Sequence, residues 1–223
     1  MASINGISVK SLKAFEGHEG EVCYQGNVYL GNKKLGMWSQ DSWGGPDRFD
    51  FESRDMEKRL NKKVIELNQD KAMHGTTRDG KPYTVDYDLE LLMYDLVKLQ
   101  LDEKEFKNSI KKGNAGLLIV TDGYHKVVWN LREAHTKMSN DKLLRYCYKM
   151  IEDAKAEAKF YKENEWTKHE VKVYRSLDDF KIGEPITMKD ISKDSKTVDE
   201  KMAKAKGSKG TKTVVKKGNE QER

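Results

Sequence analysis

The first fifty residues of this chain alternate, and the alternation stops at Ser53. Apolar and polar positions trade places imperfectly in ISVKSLKAF (residues 7–15) and more regularly in EVCYQGNVYL (residues 21–30), which is rich in β-branched and aromatic residues. A period of two gives a strand one apolar face. Residues 16–20, with two glycines, and GNKK (31–34) read as the turns between runs. LGMWSQ (35–40) follows as a third strand. In DSWGGPD the chain has to bend, because Gly44 and Gly45 accept positive φ and Pro46 fixes its own φ and lacks a donor. RFDF (48–51) is a short fourth strand. If the strand ran unbroken, Met37 and Trp43 would share one face, opposite Trp38. The expectation over residues 1–52 is an antiparallel β-meander.

From Ser53 the period lengthens. Met56, Leu60, Val64 and Leu67 fall on one helical face, with Ser53 as N-cap and Asp55 and Glu57 at the positive end of the dipole. A polar connection over 71–84 holds room for a hairpin around RDGK. Asp86 is the expected cap of the longest helix, whose apolar face runs Leu89, Leu92, Met93, Leu96, Leu99, Phe106 and Ile110. Lys111, Lys112 and Gly113 are its stop signal. Two β-rich runs, 117–120 and 126–131, flank Asp122-Gly123 as a second hairpin. Ser139 or Asn140 starts a third helix with Leu144, Cys147, Ile151, Ala154, Ala158 and Tyr161 on one face. Residues 169–176 alternate with Val171 and Val173 together, and 179–188 add a last extended piece. The pattern predicts an α+β fold: the meander, then helices and a second hairpin (53–192) packed with it as one domain.

Charge adds a tail to this picture. Ten of the 42 basic residues and five of the 37 acidic ones lie from Lys193 onward, so residues 1–192 carry equal numbers of each. The net charge of +5 is therefore a property of the tail. Residues 201–218 hold seven lysines (Lys201, Lys204, Lys206, Lys209, Lys212, Lys216, Lys217) and no acid, and aromatics end before 189. Such a segment buries too little apolar surface to fold, so residues 193–223 are expected to be disordered. Its lysines offer weak, sequence-indifferent contacts to nucleic-acid phosphates, or they simply solvate the chain. No apolar run approaches the roughly 20 residues needed to span a bilayer. The amino-terminal stretch lacks the apolar core of a signal peptide. Two distant cysteines, Cys23 and Cys147, read as reduced, buried thiols, which fits a cytoplasmic protein.

Candidate chemistry is sparse. Trp38 and Trp43 either pack against the first helix or present an aromatic to a partner. Tyr124 and His125, with Asp122 at the second hairpin tip, are partner contacts, or a proton-transfer group against the simpler reading that the turn demands them. Glu16, His18, Glu19, Glu21 and Cys23 crowd one turn, where a metal site competes with plain solvated charge. Nucleotide-binding, hydrolase and metalloprotease motifs are absent, so no catalytic residue, metal or cofactor is assigned. The residues lean away from an enzyme.

The stretch ISVKSLKAFEGHEGEVCYQGNVYLGNKKLGMWSQDSWGG resembles the opening of small proteins carried by phages and mobile elements of Gram-positive bacteria. These share a Lys-rich strand, an F-x-G-x-E-G turn, a second strand, a KK-x-G hairpin and a GG turn. The resemblance covers the first fifth of the chain and carries no catalytic residue. It implies an accessory protein in the bacterial host cytoplasm that acts by binding a host or phage protein or nucleoprotein complex such as a defence complex, inhibition of the target being one form of that action. A sequence-nonspecific nucleic-acid binder and a small enzyme on another fold are the alternatives.

Overall fold

The chain was described with a computed structural model covering residues 1–121, 126–139, 142, 143, 145, 146, 149 and 170–192. Asp122, Tyr124, His125, most of the third predicted helix with Cys147, and the whole lysine tail lie outside the described residues.

The chain is α+β. The meander forms as its alternation predicts: β2 (Ile7–Glu16), β3 (Val22–Leu30), β4 (Lys33–Ser39) and β5 (Arg48–Phe51) pair antiparallel in sequence order. Two short strands extend this sheet beyond expectation. β1 (Ser3–Ile4) joins β2 through a tight turn in which Asn5 (φ +50) and Gly6 (φ +77) both occupy the left-handed region. β11 (Lys181–Ile182), from the far end of the described chain, pairs parallel with β1, giving the order β11-β1-β2-β3-β4-β5. Buried Asn5 is the pin. Its N–H donates to Ile182 O (2.8 Å), its Nδ2 to Glu184 O (3.0 Å), and its Oδ1 accepts from Asn68 Nδ2 (3.0 Å). A strand pair of two residues each has little intrinsic stability, so these hydrogen bonds hold it.

α1 (Arg54–Leu67) starts where its cap predicts, with Ser53 Oγ accepting from Met56 N–H (3.2 Å), and buries Met56, Leu60 and Val64. α2 (Leu89–Lys111) is the centre of the molecule. Its cap is Asp88 rather than Asp86: Asp88 is still extended, and Tyr87 before it is buried and tied by its OH to Asp95 Oδ2 (2.8 Å). Asp88 caps Leu91 N–H (3.1 Å). The predicted face is buried except Ile110, which is 41% exposed. Ser109 takes its place against the neighbouring sheet, donating to Asn130 Oδ1 (2.6 Å). Val97, Asp102 and Glu103 are buried too, so the helix is enclosed on more sides than an amphipathic stripe implies.

A three-stranded antiparallel sheet, ordered β10-β8-β9, lies against α2: β8 (Gly116–Thr121), β9 (Lys126–Leu131) and β10 (Glu170–Tyr174). The predicted second hairpin is its β8–β9 pair. Leu117, Ile119 and Tyr174 face the main core, shared with α2 and the inner face of the six-stranded sheet. On the other face Leu118, Leu131 and Leu143 form a second cluster with Trp129, Met138, Val171 and Val173. Ser139 accepts from Leu143 N–H (3.0 Å), as an N-cap residue does. The short helix α3 (Glu133–Thr136) and a 3-10 turn at Leu177–Phe180 were not anticipated. β6 (Met73–Thr76) and β7 (Pro82–Val85) form the hairpin around RDGK, with every residue but Gly75 exposed. Among the described residues no helix is long and apolar enough to cross a membrane.

Candidate functional site

The two turns singled out in the sequence meet at one end of the sheet. The β2–β3 turn closes with Gly17 N–H on Glu21 O (2.8 Å), and His18 N–H donates to Ser42 O of the β4–β5 loop (2.8 Å). In that loop Asp41 turns its carboxylate back on the chain. Oδ1 accepts from Trp43 N–H (3.3 Å) and Oδ2 from Gly45 N–H (2.9 Å). Gly44 (φ +74) supplies the left-handed step, and a Cβ at position 45 would lie 2.2 Å from Asp41 Oδ2. The double glycine is thus turn chemistry, and what the turn presents is Trp43. Its ring stacks on His18 at 3.6 Å and 21°, yet the residue stays 72% exposed. Val22 and Met37 are exposed nearby in sequence and sheet. An open groove of about 600 Å³ runs beside the loop, lined by Phe15, Gln25, Ser39, Asp41, Pro46 and Arg48.

Trp38 does not belong to this surface. It is fully buried on the inner face, opposite Gly26 and Phe49, and its Nε1–H donates to Asp47 Oδ2 (2.7 Å). Trp38 is therefore a core residue and not a partner contact: strand parity turns 38 inward and Met37 outward, and Trp43 lies in the loop, not on the strand. Burial pushes the Asp47 carboxyl up, against the Trp38 N–H and with help from Asp88 and Asp41. Tyr124 and His125 lie outside the described residues, as do the seven tail lysines.

The crowded Glu16–Cys23 turn has other work. The His18 ring is taken by Trp43, and Glu21 accepts from Glu19 N–H (2.9 Å). Burial, then Glu21, pushes the Cys23 thiol up, which disfavours the thiolate a nucleophile or metal ligand needs. Among the described residues no three His, Cys, Asp or Glu side chains group as a metal-ligand set.

The buried carboxylates of α2 are structural. Asp102 accepts from Lys126 Nζ (2.7 Å) and Tyr174 OH (3.0 Å). Glu103 takes the amino group of Met1 (3.0 Å), Ala2 N–H (2.8 Å) and Lys107 Nζ (2.7 Å). Burial alone would raise the Glu103 pKa; Lys107, Ala2 N–H and the terminal ammonium outweigh it and hold the carboxyl below its usual range. A depressed folded pKa contributes stability above the unfolded value and loses it as pH falls through the folded one. Glu103→Gln should therefore cost about 1.5–3 kcal/mol at pH 7, the worth of a charged hydrogen bond. The gap to the parent should shrink steadily below about pH 4, where unfolded glutamate protonates. Urea melts at both pH values check this; a gap that does not change with pH would refute it.

A second depression, of about 670 Å³, lies at the opposite edge of the sheet, between β10, β11 and α2. No protein-family model, curated protein or solved structure matches this chain.

Proposed function

We propose that this chain is a non-enzymatic binding protein that docks on a protein or nucleoprotein target through the platform at Trp43. It acts in the bacterial cytoplasm as a phage-type accessory protein, and its binding blocks the target. The observation that carries this reading is a tryptophan left 72% exposed while its loop is held by Asp41 and its ring by His18. An aromatic ordered before contact loses little entropy on binding, and tryptophans in that position dominate interface energetics. The groove beside it gives a partner side chain somewhere to go. Asp41, Asp102 and Glu103 are engaged in holding the fold and burial raises the Cys23 thiol, which favours binding over catalysis.

The test is capture from the native host lysate with the parent chain and with Trp43→Ala, read by mass spectrometry. A specific partner should be retained by the parent and lost by the variant. In a titration with that partner, the variant should bind about 30-fold more weakly or worse, the level of an interface hot spot. A partner set unchanged by Trp43→Ala would overturn the platform reading. The alternative, nucleic-acid binding through the tail, has its own support in the lysine pattern at 201–217.

A further inference from the structure

We propose that the outer face of the six-stranded sheet binds single-stranded nucleic acid, with bases lying along β3 and phosphates on the cations of the strands beside it. α1 and α2 pack on the inner face, where Ile7, Val9, Val28, Leu30, Leu35 and Trp38 join the core. The outer face stays open to solvent, with Lys13, Lys34, Met37 and Arg48 exposed. Strand register sets its side chains in three cross-strand rows. Tyr29 lies opposite Lys34; Lys10, Asn27, Met37 and Asp50 form the second row; Lys13, Gln25, Ser39 and Arg48 form the third. β3 thus contributes an uncharged strip of one ring and two amides. Lys10 and Lys13 of β2 border it on one side, Lys34 of β4 and Arg48 of β5 on the other.

Two bulges build this arrangement. Lys10 and Lys13 are three residues apart, as are Lys34 and Met37, and on regular strands each pair would point to opposite faces. The β2–β3 register shifts between Lys10 and Lys13, and the β3–β4 register between Val28 and Tyr29, which brings both pairs to the outer face. In the first bulge Ser11 takes φ +54, a left-handed conformation that residues other than glycine seldom adopt. Bulges next to functional sites re-aim side chains in this way.

Charge decides the occupant. Among the described residues, none of Lys10, Lys13, Lys34 and Arg48 forms an ion pair. Lys10 Nζ instead sits 4.0 Å from the centre of the Tyr29 ring, which positions it without neutralising it. The carboxylates on this face are Asp50 and, at the lip of the groove with Phe15 and Arg48, Asp41, which is turned toward the N–H groups of its own loop. Lys33 and Glu52 at the hairpin end pair with each other at 3.5 Å. Four positive charges therefore stand against two negative ones, and a phosphate chain is their complement. The acidic β2–β3 turn, with Glu16, Glu19 and Glu21, lies beyond the third row and closes the strip to a phosphate chain at that end.

The uncharged strip favours a single strand over a duplex. Bases of a single strand are free to lie on a ring and to hydrogen-bond along their edges, whereas a duplex pairs them with each other. The side-chain amides of Gln25 and Asn27 have no hydrogen-bond partner among the described residues, so both offer donors and acceptors to base edges. This face is a second surface beyond the Trp43 platform, and neither reading rests on the other.

The test uses the full chain, tail included, and a fluorescein-labelled thymidine strand of about 20 nucleotides at about 0.15 M salt. Lys10→Glu/Lys34→Glu and Tyr29→Leu are compared with Lys58→Glu/Lys104→Glu, a charge-matched change at exposed helix positions away from this face, thermal melts confirming that all fold. The Lys10→Glu/Lys34→Glu variant should bind the strand at least about tenfold more weakly, with a log–log salt slope shallower by about 1.4, two phosphates at about 0.7 each. Tyr29→Leu, which leaves the charge unchanged, should weaken binding about fivefold or more, the low end for losing one base stack. The control should change it little. Lys13→Glu/Arg48→Glu, on the next row, should repeat the result of the first pair. Trp43-dependent capture of a protein partner should be unaffected by Lys10→Glu/Lys34→Glu, so either reading can fail alone. No strand binding, equal weakening by both the face pair and the control pair, or competition by duplex DNA or polyglutamate as effective as that of the unlabelled strand overturns the proposal. Equal weakening would place the affinity in net charge and the tail, and polyglutamate would mark the face as one for an acidic protein.

Discussion

Trp38→Ala should lower the folding free energy by about 3–5 kcal/mol, the range for emptying a buried aromatic site, while Trp43→Ala should move it by no more than about 0.5 kcal/mol. The two tryptophans sit five residues apart and have opposite surroundings. Trp38 is 0% exposed, in one core with Val9, Leu35, Met56 and Leu60. Its removal opens a cavity between sheet and α1 that fixed backbone on both sides prevents from closing. It also strips a 2.7 Å hydrogen bond from Asp47, whose carboxyl burial already pushes up. That bond favours the ionised carboxylate, so its loss should push Asp47 higher still. Trp43 loses only a stack with His18 at the surface. Urea denaturation of the two single variants, with the slope checked for constancy, gives both numbers. A loss below about 1 kcal/mol for Trp38→Ala, or above that for Trp43→Ala, would reverse the assignment of core and platform.

The meander was legible because turn residues and alternation agree on it, and α1 because Ser53 and its apolar spacing agree. What the sequence concealed has physical reasons. β1 and β11 are two residues each, too short to show a period, and their pairing depends on Asn5, Asn68 and Glu184 meeting from distant segments. Asn5-Gly6 nevertheless carries a strong hairpin signal that marks β1–β2. Asp102 and Glu103 look like solvent-facing charges by spacing alone. They are buried because cations from β9, the amino end and the next helical turn reach them. Trp43 shows its hydrophobicity in the sequence but not its exposure, although Asp41 followed by Gly44-Gly45 is a readable turn. The outer sheet face was least legible. Lys10, Lys13, Lys34 and Arg48 come from three strands, each unremarkable in composition, and the equal charge count of residues 1–192 averages them away. A neutral total says nothing of where its charges gather.

The second large effect is expected at Asp102. Asp102→Ala should cost about 3–5 kcal/mol, the usual penalty for removing one partner of a buried pair. The carboxylate ties α2 to both outer strands of the three-stranded sheet, through Lys126 on β9 and Tyr174 on β10. Alanine leaves the Tyr174 hydroxyl buried without this acceptor and leaves Lys126, among the described residues, with Glu105 at 3.3 Å. Asp102→Asn should cost less, because the amide oxygen still accepts from Tyr174. Burial would lower the Lys126 pKa; Asp102 and then Glu105 overcome it and hold the ammonium above its ordinary range. A raised folded pKa gives stability that is complete below the unfolded value and fades as pH climbs through the folded one. The contribution of the Lys126 charge should therefore fade in strong alkali. A double-mutant cycle locates the energy. Lys126→Met alone leaves buried Asp102 with the Tyr174 hydroxyl but no cation, Asp102→Leu alone leaves Lys126 with the longer Glu105 contact, and the double variant replaces an ion pair by apolar contact, a change that is often near neutral. The double variant should thus recover most of the loss of either single variant in urea denaturation. Losses that simply add would show that Asp102 and Lys126 act separately, and that the helix is held to this sheet by its apolar face alone.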